Sequence, residues 1–286
     1  MILTARRVKI WVGPILYRIL ALAWERGIKY PLRHNPASSC LPSTPIIMMR
    51  DCVRHLYLEH VPIAWARFLL SNCDNVEDVC LFDGDYTSLL DRLGARRTLR
   101  RLHCSLQDLF GPREPDFNHP IFSRLTHLTL FPGVIPTEWT GLASLLHLTH
   151  LSVSDYGFLT LISEALKACP SLRVAICLVP DESVVSDLEI SGLDAMKSDP
   201  RFVCMLCITH YTTEWFAGTT GGLDRWNRAE EFISRRDAGE IERTQFIVPA
   251  DDSSSLEMPV EFRERVTVAT RPTWTQRCLA AVWPQS

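Results

Sequence analysis

Seven times along this chain an aliphatic or similar residue is followed three positions later by a second apolar residue, and two positions after that by a third. The copies are Val53/Leu56/Leu58, Val76/Val79/Leu81, Leu99/Leu102/Cys104, Leu125/Leu128/Leu130, Leu148/Leu151/Val153, Leu172/Ala175/Cys177 and Phe202/Met205/Cys207. Their first members are 23, 23, 26, 23, 24 and 30 residues apart. A triplet repeated every ~20 to 29 residues marks stacked supersecondary units. Each short strand must point its first, fourth and sixth residues into a shared core. One unit cannot bury its own apolar face, so neighbours have to stack. The expected fold class is therefore α/β, a solenoid with a parallel sheet on the concave face, helices on the convex face and helical caps.

Between the triplets the apolar spacing changes to that of helices. Ile63 to Ser71, Tyr86 to Leu93, Trp139 to Leu146, Phe158 to Cys169 and Val184 to Lys197 read as helical, and Phe158 to Cys169 is the clearest, with Leu159, Ile162, Leu166 and Cys169 on one face. Gly111 to Asp116, with two prolines, reads as a loop and accounts for the longer spacing between the third and fourth triplets. Residues 1–30 read as a helical segment, in which Val8, Trp11, Ile15, Leu16, Ile19 and Leu22 recur at helical spacing from residue 5 and Pro14 introduces a kink. Residues 31–50 read as a Pro/Ser-rich linker and 51–240 as the repeats with a C-terminal cap helix at Asp224 to Ala238. Residues 241–286 read as an irregular tail.

These copies resemble the leucine-rich-repeat proteins, whose motif is L-x-x-L-x-L followed by a turn and a helix. Leu125 to Leu130 (LTHLTL) and Leu148 to Val153 (LTHLSV) carry the likeness best. Cysteines that lead from a helix into the next strand, Cys73 before Val76 and Cys169 before Leu172, look like those of fungal F-box repeat proteins. The segment Arg7 to Arg18, with its Trp11, Pro14 and Leu16-Tyr17-Arg18, is similar to the end of a fungal F-box. The front of such a module would lie before Met1. The resemblance implies a leucine-rich-repeat-like solenoid and a substrate receptor of a Skp-cullin-F-box ubiquitin ligase, with the Skp adaptor as partner if the F-box is completed upstream.

Hydrophobic residues are 47% of the chain, enough for a sizeable core, and the formal net charge of −3 gives no electrostatic case for nucleic acid or an anionic membrane. The ten cysteines include repeat-internal positions such as Cys104 and Cys177, where a small hydrophobe is wanted, so reduced thiols and a cytoplasmic or nuclear location are expected. Val8 to Leu22 falls short of the ~20 apolar residues of a membrane span.

Chemistry-bearing motifs are sparse. Cys204-Met205-Leu206-Cys207 has the spacing of half a zinc site, yet a strand would send the two thiols to opposite faces and no second pair stands at zinc-finger distance. Asp83-Gly84-Asp85 reads as a turn, not a calcium loop, because the remaining ligands are missing. Gly218 to Gly222 reads as a turn into the cap and lacks the Lys-Ser/Thr of a P-loop. His127 and His150 occupy the same outward position of adjacent strands, where a polar patch is preferred to a metal site. Arg96, Arg97, Arg100 and Arg101 surround a strand start; Arg101 is expected on the concave face, suited to an acidic peptide or phosphate, with a solvated edge as the plainer alternative.

If the triplets point inward, the residues between them form the concave face. The expected partner-binding set is His55, Tyr57, Glu59, Asp78, Phe82, Arg101, His103, His127, Thr129, Phe131, His150 and Ser152, a mixture of aromatic, His and Arg side chains of the kind protein recognition uses. The expected function is non-catalytic recognition of a protein target whose identity the sequence does not give, with no cofactor, metal, nucleic acid or membrane involved. A free-standing repeat scaffold without a ubiquitin role is the alternative, and an enzyme of unrecognised type a distant third.

Overall fold

The computed structural model describes residues 14–15, 17–23, 46–136, 138–154, 156–179, 194–206 and 211–248. Its nine described strands are β1 (Ile19–Ala23), β2 (His55–Glu59), β3 (Asp78–Phe82), β4 (Arg101–Cys104), β5 (His127–Leu130), β6 (His150–Val153), β7 (Val174–Val179), β8 (Phe202–Leu206) and β9 (Ile247–Val248). They form one sheet in strictly sequential order, and every neighbouring pair is parallel. The fold is thus α/β.

Register follows the triplets from β2 to β7. Leu56, Val79, Leu102, Leu128, Leu151 and Ala175 stand in one row across the sheet, each paired with the next. These residues, with Leu58, Leu81, Cys104, Leu130, Val153 and Cys177, belong to one continuous buried core. The first triplet members, Val53, Val76, Leu99, Leu125, Leu148 and Leu172, join the same core from just before each strand. There the backbone has not yet taken up strict alternation, so a residue three positions ahead of an inward strand residue can also face inward. A repeated hydrogen-bond step marks the strand starts from β2 to β7: the N–H groups of Arg54 and His55 both donate to Arg18 O, those of Glu77 and Asp78 to Arg54 O, and those of Thr126 and His127 to Arg100 O. Shared carbonyls of this kind satisfy the backbone as the chain enters each strand.

The core side is closed by α1 (Ile46–Cys52), α2 (Ile63–Asn72), α3 (Leu90–Gly94), α4 (Leu106–Phe110), α5 (Leu159–Ala168), α6 (Asp194–Lys197) and single turns of 3₁₀ helix. α2 buries Ala66, Leu69 and Leu70, and α5 buries Leu161, Ile162, Ala165 and Leu166, the three- and four-residue spacing of an amphipathic helix. Two further helices, α7 (Tyr211–Thr219) and α8 (Arg225–Asp237), lie on the opposite face of the sheet. α8 opens with a capping box in which Asp224 accepts from the Asn227 N–H while Asn227 Oδ1 accepts from the Asp224 N–H.

Four expectations are corrected here. The helix read through residues 5–30 gives way at Ile19–Ala23 to strand β1, because ILALA finds an unfilled backbone edge on β2 and both its faces are buried. Trp139 to Leu146 holds only a 3₁₀ turn at Leu142–Ser144, started by Gly141 in the left-handed region at φ 85°, where an added Cβ would lie 2.6 Å from Asn118 Nδ2. The tail read from residue 241 contains β9. The seventh triplet is mis-phased, since β8 pairs Phe202 with Ala175, so Phe202 and Cys204 enter the main core while Val203 and Met205 face the other way. Phe202 and Met205 both lie within the strand, and alternation sends residues three apart to opposite faces. Cys207, the F-box-like segment Arg7 to Trp11 and most of the linker lie outside the described residues.

Candidate recognition surfaces

Alternation places the twelve expected partner-binding residues on the front of the sheet, away from the main core, but that front is not open. His55, Tyr57, Asp78, His103, Thr129, Phe131, His150 and Ser152 are all buried, while Glu59, Phe82, Arg101 and His127 keep intermediate exposure. Solvent access for the eight buried residues is corrected by the cover that α7 and α8 supply. Over β6 to β9, α8 seats Trp226, Ala229 and Phe232 on Val174, Ile176, Leu178, Val203, Met205 and Val248. Over β1 to β5, Trp215 of α7 packs with Ala21, Tyr57, Cys80 and Phe131, and Tyr211 and Phe216 join its margin. Both faces of strands β7 and β8 are apolar, and two apolar faces in one strand require two covering layers.

The contacts under α7 are more polar. Asp78 is buried between two imidazoles, with its Oδ2 3.3 Å from His55 Nδ1 and its Oδ1 3.2 Å from His103 Nε2. Trp215 Nε1 donates to the same Oδ1 at 3.3 Å. Burial alone would favour the neutral acid, but His103 first and His55 second outweigh it and hold the Asp78 carboxyl well below the usual carboxylate range. His103 Nδ1 lies 3.0 Å from Thr129 Oγ1 and also meets the Tyr211 hydroxyl. The Tyr57 hydroxyl donates to Glu59 Oε2 at 3.0 Å and lies 2.9 Å from Thr212 Oγ1. Burial pushes the Tyr57 and Tyr211 phenols and the Cys80 thiol far up, so all three are neutral.

Two paired histidines sit under α8. His127 and His150 occupy one row of adjacent strands, and their rings stack at 4.1 Å with planes 2° apart. Trp226 stands edge-on to both, at 5.3 and 5.4 Å. His150 Nε2 is 3.0 Å from Glu230 Oε1 of α8. Burial, with His150 and Arg101 adding repulsion, lowers His127 to about 2. Burial lowers His150 as well, against the pull of Glu230. Among the described residues no group of His, Cys, Asp and Glu is arranged to hold a metal ion.

Arg101 is only partly exposed. It lines a cavity of about 20 Å³ together with Asp78, His103, Glu214, Asp224 and Arg225. Glu214 is itself bound by Arg225 Nη2 at 2.6 Å and Arg228 Nη2 at 3.3 Å. Such a cavity holds about one water.

An open feature lies elsewhere. The loops that follow β3, β4 and β5 form a groove of about 700 Å³ lined by Gly84, Asp85, Thr87, Leu106 to Asp108, Gly111 to Pro115 and Val134 to Pro136. Gly84 lets the first loop sit against Tyr86, since an added Cβ would lie 2.5 Å from that ring. The Gly84 N–H donates to Asp108 Oδ2 at 3.3 Å. Asp108 is nevertheless pushed up, by burial first and then by the like charges of Asp83 and Asp85. Sequence reasoning found the turn at Asp83 to Asp85 and the loop at Gly111 to Asp116 but did not join them. Their shared offset from successive strands was the available signal.

Compared with known proteins, the chain matches no family model, no curated protein and no solved structure.

Proposed function

We propose that this chain is a non-catalytic protein-recognition module, a leucine-rich-repeat-like solenoid in which α8 and β9 close one end. The observation that carries the reading is the uniform sheet, with nine described strands in sequential order, all parallel, and one inward apolar row running through β2 to β7. Stacked units of this kind present long, rigid surfaces, which suit binding more than turnover. The buried group of His55, Asp78 and His103 supports the same reading, since Trp215 and Tyr211 close it and the adjoining space takes about one water. The buried thiols of Cys73 and Cys169, pushed up by burial to about 12 and about 11, behave as core hydrophobes and favour a cytoplasmic or nuclear setting. Among the described residues no helix is long and apolar enough to cross a membrane.

The likeness of Arg7 to Arg18 to an F-box end adds the finer proposal of a Skp-cullin-F-box substrate receptor, and a free-standing repeat scaffold is its rival. The test is a pull-down of this chain, and of a version extended upstream, with purified Skp adaptor. Binding by the extended chain supports the receptor. Failure of both removes the ligase step and leaves the scaffold. Recognition itself is tested by proximity labelling with the full chain, and the absence of any saturable protein partner would overturn it.

A further inference from the structure

We propose that the groove at the C-terminal ends of β3, β4 and β5 is a docking site for an extended peptide segment that carries basic residues beside aliphatic ones. The inference deepens the recognition reading and rests on it. Three successive loops build the groove, and its volume of about 700 Å³ lies in the range of ligand sites, ~300 to 1,000 Å³. Its walls carry the carboxylates of Asp85, Asp108 and Glu114 against the single guanidinium of Arg113. Charge of that sign attracts cationic side chains and repels phosphate groups. Asp108 is the most telling of the three, because it is half-buried and crowded by Asp83 and Asp85, with only the Gly84 N–H donating to its side chain among the described contacts. A cation in the groove would relieve that repulsion.

The opposite wall is apolar. Val134 and Ile135 are 65% and 44% exposed and adjacent, whereas most other large aliphatic side chains of the sheet units are buried. Covering such a pair releases water from apolar surface, and an aliphatic side chain of the peptide is the matching group. Pro112, Pro115 and Pro136 restrict the walls, so less ordering opposes binding. Among the described residues the front of the sheet is covered by α7 and α8.

Selection of random displayed peptides on the full chain, then fluorescence-anisotropy titration of the enriched peptide made synthetically, tests the assignment. The expected peptides place Lys or Arg beside Leu, Ile or Val. Glu114→Lys should weaken the labelled peptide about tenfold, and so should the double change Val134→Ser with Ile135→Ser; added salt should weaken it further. All three positions are exposed, so circular dichroism melting should be unchanged. Enriched acidic peptides, no enriched peptide at all, or an affinity unchanged from the parent chain in both variants would overturn the groove assignment. Those results leave the recognition reading standing if proximity labelling still finds a saturable partner, because that assay scores a folded protein on any face.

Discussion

Trp226→Ala removes the side chain that seals the front of β5 to β8. A buried Trp takes roughly 200 Å² out of water, and at ~25 cal/mol per Å² this sets an upper value near 5 kcal/mol, since the unfolded chain already hides part of that surface. Trp226 is 5% exposed, packs with Val174, Ile176, Val203 and Met205, and stands edge-on to both His127 and His150. The hole left under a rigid helix adds to the transfer loss, and Trp→Ala changes in cores cost ~3 to 5 kcal/mol. Urea unfolding should show a loss of that size. A second readout separates loss of cover from simple destabilisation. Burial is the largest cause of the low values of His127 and His150, so both should move up toward the ordinary value of ~6.5 when the ring is removed. Proton NMR titration of the imidazoles reads this directly. Leu223→Ala, at a side chain 64% exposed beside the same helix, should change stability by less than ~0.5 kcal/mol. A loss below ~1 kcal/mol for Trp226→Ala, with both imidazoles unmoved, would refute the claim that α8 covers this face.

Two further outcomes follow from the buried charges. His127 and His150 are held below their ordinary value in the fold, so the unfolded chain binds more protons; stability is full above ~6.5 and falls as pH drops below it, for His127 down to about 2, with a slope of at most ~1.4 kcal/mol per pH unit for each group. Urea midpoints across pH 4 to 8 (roughly the titration window of imidazole) should show that slope, and His127→Gln should flatten it; an unchanged slope would count against the burial. Asp78→Ala leaves His55, His103 and the Trp215 N–H facing an empty acceptor site and should cost ~3 to 5 kcal/mol, while Asp78→Asn, which keeps an acceptor for Trp215, should cost less. The Asp78 carboxyl is depressed, so its contribution is present above ~3.9 and is lost as pH falls below that value. Equal stability of the two variants in chemical unfolding would show that the Trp215 hydrogen bond does not hold α7.

The triplet period determined a great deal by itself. It gave the parallel α/β fold, the inward row from Leu56 to Ala175, and the helices α2, α5 and α8, because each repeat needs only its own sequence and an equivalent neighbour to define which side is buried. It also placed His127 beside His150, since equal offsets become adjacent rows in a parallel sheet. It failed where a partner outside the repeat made the choice. Ile19–Ala23 became a strand because β2 offered it an edge, and β8 slipped three residues from the triplet phase because its pairing begins at Phe202. The front of β2 to β6 was the largest miss. A repeat states which residues point outward but not what covers them. That was decided by Asp78 and Trp215, 137 residues apart, and by Trp226 on the paired histidines, contacts that exist only once distant segments have packed.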